Sequence, residues 1–170
     1  PVASVDAATI ELRQVNVVEE FLREIPGVVP SVGAQVNNGN GGSTFVNLRG
    51  LGSNRNITLM NGTRVVPAGL QGRTNLDIIP VALLERVDVL TGGAGSAYGA
   101  DAISGVINFR TKTDFEGLDF RISQSDSFEG GGESERYDLT LGGNFADNRG
   151  NAVVSIGYTD RKPLLQGERD

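Results

Sequence analysis

Apolar residues recur along this chain with two different periods, and the change of period divides it. Val2 and Val5 open the chain in a short run suited to a strand. Residues 15–25 then place Val15, Val18, Phe21, Leu22 and Ile25 at helical spacing, with Glu19, Glu20, Arg23 and Glu24 on the opposite side. Asn16 followed three residues later by Glu19 fits a capping box, and Pro26-Gly27 ends the helix. Such a face packs into a core, with partner binding as the alternative. The amide-rich stretch 33–44, GAQVNNGNGGST, predicts a loop, and TFVNL at 44–48 a strand. NITLMNGTRVVP at 56–67 predicts two strands joined by a hairpin turn at Asn61-Gly62. Asn56 and Asn61 also match the glycosylation acceptor pattern, but an amide in a turn serves backbone geometry first. NLDIIPVALLERVDVL at 75–90 predicts a short helix, Pro80 in its first turn, running into a strand at 87–90. A glycine-rich stretch and a strand at 106–110 follow. Residues 1–113 therefore read as one small α+β unit, a mixed sheet with short helices.

After Thr113 the period becomes two. Leu118, Phe120 and Ile122 alternate with Asp119, Arg121 and Ser123. Tyr137, Leu139, Leu141 and Phe145 alternate with Asp138, Thr140 and Asn144, and Val154, Ile156 and Tyr158 alternate with Ser155 and Gly157. The connection at 125–134 is long and glycine-rich, and that at 147–150 is tight. Antiparallel strands of a soluble sheet alternate in this way. So do strands of a membrane β-barrel, which join long loops on one side to short turns on the other.

Composition narrows the chemistry. The 170 residues include 24 glycines but only 6 prolines, so the excess marks tight turns and close backbone approaches more than a disordered linker. The net charge is −6 with Lys and Arg scattered, which argues against nucleic acid as a partner. With no cysteine and no histidine, a zinc or iron–sulfur site and a Ser-His-Asp or Cys-His hydrolase lack their essential groups. No apolar run approaches the roughly 20 residues of a membrane helix. Neither a cofactor nor a metal is implied.

The stretch VDVLTGGAGSAYGADAISGVINF, residues 87–109, resembles a phosphate cradle at first sight: a strand, then glycines. The dinucleotide fingerprint needs its third glycine three places after the second, yet Tyr98 stands there and Gly99 comes one place late. No long helix follows, no Gly-Lys-Ser/Thr is present, and Ala94 and Ala102 break the nucleophile-elbow pattern around Ser96 and Ser104.

Five motifs in order give a different reading: Ile25-Pro26-Gly27-Val28; Leu48-Arg49-Gly50; Met60-Asn61-Gly62 followed by Arg64; Glu85-Arg86-Val87-Asp88-Val89-Leu90; and Tyr98-Gly99-Ala100-Asp101-Ala102-Ile103-Ser104-Gly105-Val106-Ile107-Asn108. Together they make residues 1–112 resemble the plug domain of TonB-dependent outer-membrane receptors. The resemblance implies a plug enclosed by a 22-stranded transmembrane β-barrel, with residues 114–170 forming about the first three barrel strands. It implies a location in the outer membrane of a Gram-negative bacterium, with the plug inside the barrel and facing the periplasm. It further implies active uptake of a scarce nutrient (iron chelate, sugar or peptide) without covalent chemistry, so no enzyme. TonB, driven by the proton gradient, would pull through an N-terminal box expected before Pro1. The alternative is a soluble α+β binding module or adhesin with a plug-like fold, for which the reading frame would stop near Asp170 instead of continuing through more strands. Open strand edges in a fragment would invite association with another copy.

The resemblance also assigns roles. Outward apex loops would place Asn37, Asn38, Asn40, Asn54, Gln71 and Arg73 against a polar ligand, although solvated loop residues have the same composition. Arg49, Glu85, Arg86 and Asp101 would serve structure or plug–barrel contact, with one of the two arginines pairing with Glu85 or Asp101. Thr91 stands where many members carry an arginine of a plug–barrel charge cluster, which leaves only Arg49 matching that lock. Gly92, Gly93, Gly95, Gly99 and Gly105 would form a turn and hinge between two central strands.

Overall fold

The computed structural model describes residues 2–13, 17–31, 33, 42–92, 94–126, 133–147 and 149–162. Two compact units emerge: Pro1–Ile79 with Leu84–Thr111, and Pro80–Leu83 with Lys112–Asp170. In chain order the first contains β1 (Val2–Asp6), α1 (Ala7–Leu12), α2 (Val18–Leu22), β2 (Val28–Val29), β3 (Asn47–Leu48), β4 (Asn56–Met60), β5 (Thr63–Arg64), β6 (Leu84–Thr91), the single-turn α3 (Gly95–Tyr98) and β7 (Gly105–Thr111). Five strands make a mixed sheet in the order β1-β6-β7-β4-β5, in which β4 and β7 run parallel.

The sheet is covered on both faces. Cross-strand partners Val87 and Phe109, Val89 and Ile107, and the parallel pair Thr58 and Ile107 share one face, all fully buried. On the other face Ile57, Leu59 and Val106 pack with Ala94 and Ala102, two alanines of the glycine-rich stretch between β6 and β7. That stretch is thus a cover for the sheet, and its small residues let it lie close. Gly92 (φ +78°), Gly99 (φ +91°) and Gly105 (φ +148°) give its bends the left-handed torsions that favour glycine. Gly95 has no such torsion and open space around it, so geometry does not demand a glycine there. Gly93 lies outside the described residues.

Three local features differ from the pattern read in the sequence. Helix α1 escaped the sequence pattern; it is capped by Asp6, whose Oδ1 accepts from the Thr9 amide at 2.9 Å. Glu19, expected on the solvent face of α2, is buried and ion-paired with Arg23 one turn on. The helix starts from Val17, which offers no side-chain cap, and Asn16 lies outside the described residues. The helix expected before β6 is two 3-10 turns, Leu76–Ile78 and Val81–Leu83. Pro80 causes the break: it forces the preceding Ile79 into an extended conformation (φ −90°, ψ 115°).

At the hairpin, Asn61 (φ +51°) and Gly62 (φ +80°) take the two left-handed positions of a tight turn joining β4 to β5. The Asn61 amide also ties the turn to β7: it donates to the Thr111 hydroxyl at 2.9 Å and accepts from its N–H at 3.0 Å.

The second unit carries an antiparallel sheet of β8 (Gly117–Ser125), β9 (Ser134–Phe145) and β10 (Gly150–Arg161), with β9 central. Its register aligns Leu118, Leu141 and Val154, then Phe120, Leu139 and Ile156, then Ile122, Tyr137 and Tyr158, in three apolar rows on one face. Burial across this sheet is the reverse of a soluble one. Phe120 is 57% exposed and Ile156 67%, whereas Thr140, Asp138 and Arg136 on the polar face are buried. Arg136 Nε donates to Asp138 Oδ2 at 2.6 Å, and Gly157 opposite leaves room for that carboxylate. No helix among the described residues is long and apolar enough to cross a membrane.

Candidate functional site

A cavity of about 470 Å³ opens at the head of β4 in the first unit. Its wall is assembled from three sequence-distant segments. Asn56 opens β4 and Asn54 lies in the turn before it, Arg64 comes from β5, and Gln71 with Leu70 from the loop that follows β5. Asp101 comes from the 3-10 turn Ala100–Ala102.

Each segment is held in place by identifiable interactions. The loop after β5 is pinched by a bridge between Ala68 and Arg73, with the Ala68 amide donating to the Arg73 carbonyl at 2.7 Å. Gly69 (φ +69°) and Gly72 (φ +68°) turn its tip, which leaves Leu70 and Gln71 exposed. Asp101 is fixed from below. Its neighbour Ala102 is fully buried in the sheet cover, and Ser104 donates to the Arg55 carbonyl through both its N–H (2.9 Å) and its hydroxyl (2.7 Å). The Arg64 guanidinium then forms an ion pair with the Asp101 carboxylate. Both side chains are at least half exposed, so this contact contributes little stability, about 0–1 kcal/mol, and serves mainly to orient the two groups. Asn56 is 8% exposed, and its Oδ1 is buried with no hydrogen-bond partner.

Of the ligand-facing residues expected from the sequence, Asn54 and Gln71 meet in this cavity. Arg73 does not line it; its guanidinium stacks over the Phe45 ring, 4.2 Å from the centroid. Asn37, Asn38 and Asn40 lie outside the described residues. The charge pairing expected of the structural group is corrected. Asp101 pairs with Arg64, and Arg86 pairs with Asp88, Nε to Oδ1 at 3.0 Å. Two residues apart on one strand, Arg86 and Asp88 share a face and meet directly. Arg49 and Glu85 are both exposed; Arg49 holds a left-handed backbone (φ +58°) and approaches Gly92. Asn56 and Arg64 were not legible as site residues, because their placement depends on the β4–β7 pairing that brings residue 101 beside them.

A second polar cluster lies at the root of the stretch 33–44. The Thr44 amide and hydroxyl donate to the Asp77 carboxylate at 3.0 Å each, and the Asn75 side chain accepts from the same amide. Burial pushes the Glu19 carboxyl above its ordinary range, against the opposing pull of Arg23. Among the described residues no group of three or more His, Cys, Asp or Glu could hold a metal ion.

Comparison with known families and structures follows the same lines. The family model described as TonB-dependent Receptor Plug Domain matches residues 1–106. Among solved structures, a ferric enterobactin receptor variant from Pseudomonas aeruginosa, in complex with enterobactin, is 26% identical with a TM-score of 0.71. The siderophore receptor PirA from the same organism is 25% identical with a TM-score of 0.67. Both alignments cover 94% of this chain, but 25% and 28% of the respective receptors. The unliganded ferric citrate transporter FecA, 23% identical with a TM-score of 0.70, shares the fold. This chain spans about a quarter of the length of these structures.

Proposed function

Since the chain belongs to the TonB-dependent receptor plug domain family, a family of receptors and transporters and not of enzymes, we propose that it is the gating plug of an active outer-membrane uptake receptor together with its opening barrel strands. In this reading residues 1–113 form the plug and residues 114–170 open the barrel. The plug sits inside the barrel in a Gram-negative outer membrane, its ligand side outward and its other side toward the periplasm.

The observation that carries the proposal is the inverted burial of the three-stranded sheet. The three apolar rows are largely exposed while Arg136, Asp138 and Thr140 are buried. Such a surface is costly in water and suits a strand set with lipid on one side and a polar interior on the other. The soluble-module alternative requires the opposite arrangement. Among the described residues no strand pairs with the outer edges of β8 and β10, and further strands of the complete barrel would continue them.

Uptake then proceeds without covalent chemistry. A polar nutrient reaches the cavity at the head of β4, TonB engages an extended segment before β1, and force on that segment rearranges the plug enough to open a path. The test is genetic. Deleting the gene should abolish uptake of the nutrient, and deleting TonB should abolish it equally while leaving binding at the cell surface intact. Uptake that persists without TonB would sink the proposal.

A further inference from the structure

We infer that the cavity at the head of β4 takes a neutral, hydroxyl-rich ligand of the saccharide class, not an anionic metal chelate. The inference rests on the uptake reading above and specifies its substrate. Charge is the first ground. The two charged side chains that line the cavity among the described residues, Arg64 and Asp101, neutralise each other. Arg73, the next cation along the same loop, is stacked on Phe45 and forms no part of the wall. Among the described residues, a multiply anionic chelate would meet no cation in the wall beyond the one already paired with Asp101, which is an unfavourable desolvation.

Hydrogen-bond chemistry is the second ground. The rest of the polar wall is primary amide: Asn54, Asn56 and Gln71. A primary amide carries an acceptor and two donors in one plane, which matches adjacent hydroxyls that both donate and accept. A sugar hydroxyl can both give and take a hydrogen bond at such an amide, whereas a carboxylate or catecholate oxygen only accepts. Pro67 and the fully exposed Leu70 at the rim give the C–H face of a sugar ring an apolar surface. The volume falls in the ordinary range for small-molecule sites, roughly 300–1,000 Å³. A short peptide fits less well, because its charged termini would meet an arginine and a carboxylate already engaged with each other.

The test uses the full-length protein and isothermal titration calorimetry with maltotetraose, cellotetraose, xylotetraose, mannotetraose, ferric citrate, ferric enterobactin and tetra-alanine. Saturable binding is expected for at least one oligosaccharide and for neither chelate nor the peptide. Asn56→Ala and the exposed Gln71→Ala should each weaken oligosaccharide binding about tenfold, the scale of one lost hydrogen bond. Gln71→Ala keeps the test decisive if the buried substitution impairs folding. Asp101→Asn, which frees Arg64, should weaken oligosaccharide binding and make ferric citrate binding measurable. No oligosaccharide binding, or binding of a chelate or peptide in its place, overturns the inference. Failure of the uptake reading looks different: oligosaccharide would still bind, with the effects of the three substitutions intact, while uptake proved independent of TonB.

Discussion

Gly105 is turned against Leu90 across the β6–β7 pairing so closely that a β-carbon on it would lie 2.3 Å from the Leu90 carbonyl oxygen and 2.9 Å from the Leu48 Cδ1. Its φ of +148° adds a torsion that side chains with a β-carbon rarely adopt. Here the chain leaves the glycine-rich cover and enters the sheet, so a shift would disturb the packing of Val106 with Ala94 and Ala102. Gly105→Ala is expected to destabilise the protein by on the order of 3 kcal/mol or more. Gly95→Ala, in α3 with open space around it, should be neutral or stabilising by up to about 1 kcal/mol. Urea unfolding of both variants checks the contrast, and equal behaviour would remove the steric account of this stretch.

Thr58 presents a hydroxyl with no partner on the fully buried face of β4. A buried donor without an acceptor carries an uncompensated desolvation cost of about 1–3 kcal/mol, and valine has nearly the same shape and suits a strand. Thr58→Val should therefore raise stability by about 1 kcal/mol, seen as a higher urea midpoint with an unchanged slope. A lower midpoint would mean that the hydroxyl has a partner, such as a bound water.

The plug was legible because its signals are local and independent. Asn61-Gly62 announced a hairpin whatever surrounded it, and the alternation at 118–122, 137–145 and 154–158 announced strands whose register then followed. The glycine-rich stretch could be cleared of phosphate binding from spacing alone. What escaped the sequence depends on distant contacts. Glu19 reads as a solvent-facing charge until Arg23 and the buried surroundings of α2 are in place. Asp101 could be recognised as needing a partner, but Arg64 becomes that partner only when β4 pairs with β7 and carries β5 along. Asn54 and Gln71 were identified as polar loop residues, whereas the strand residue Asn56 stayed hidden behind a glycosylation-like pattern.

Glu19 should make stability depend on pH in a definite direction. Burial raises its pKa in the folded protein, aided by the nearby charges of Glu20 and Asp77, while Arg23 opposes the rise without cancelling it. The folded chain thus holds this proton more tightly than the unfolded chain does. The contribution is full below the ordinary glutamate range and is lost as pH rises through the raised value. Glu19→Gln stays neutral throughout, so the stability difference between the native protein and this variant should shift in favour of Gln as pH rises from 4 to 7. Paired denaturant titrations across that range measure it. A shift the other way would show that attraction to Arg23 outweighs burial.

The apolar rows of the second sheet give the most direct test of where the chain resides. Leu139 lies at the centre of the Phe120–Leu139–Ile156 row, flanked on both sides by apolar partners. In a lipid-facing barrel wall, an arginine at that depth costs roughly 2–4 kcal/mol, falling toward zero near the interfaces. Leu139→Arg in the full-length protein should therefore lower the amount assembled in the outer-membrane fraction severalfold. Ser123→Glu, on the opposite face and across from Arg136, adds a charge beside one of opposite sign and should assemble normally. In a soluble sheet with solvent on the apolar face, Leu139→Arg would instead improve solubility and Ser123→Glu would have little effect. Membrane fractionation of the two variants separates these outcomes: equal assembly of both would show that the three rows do not face lipid.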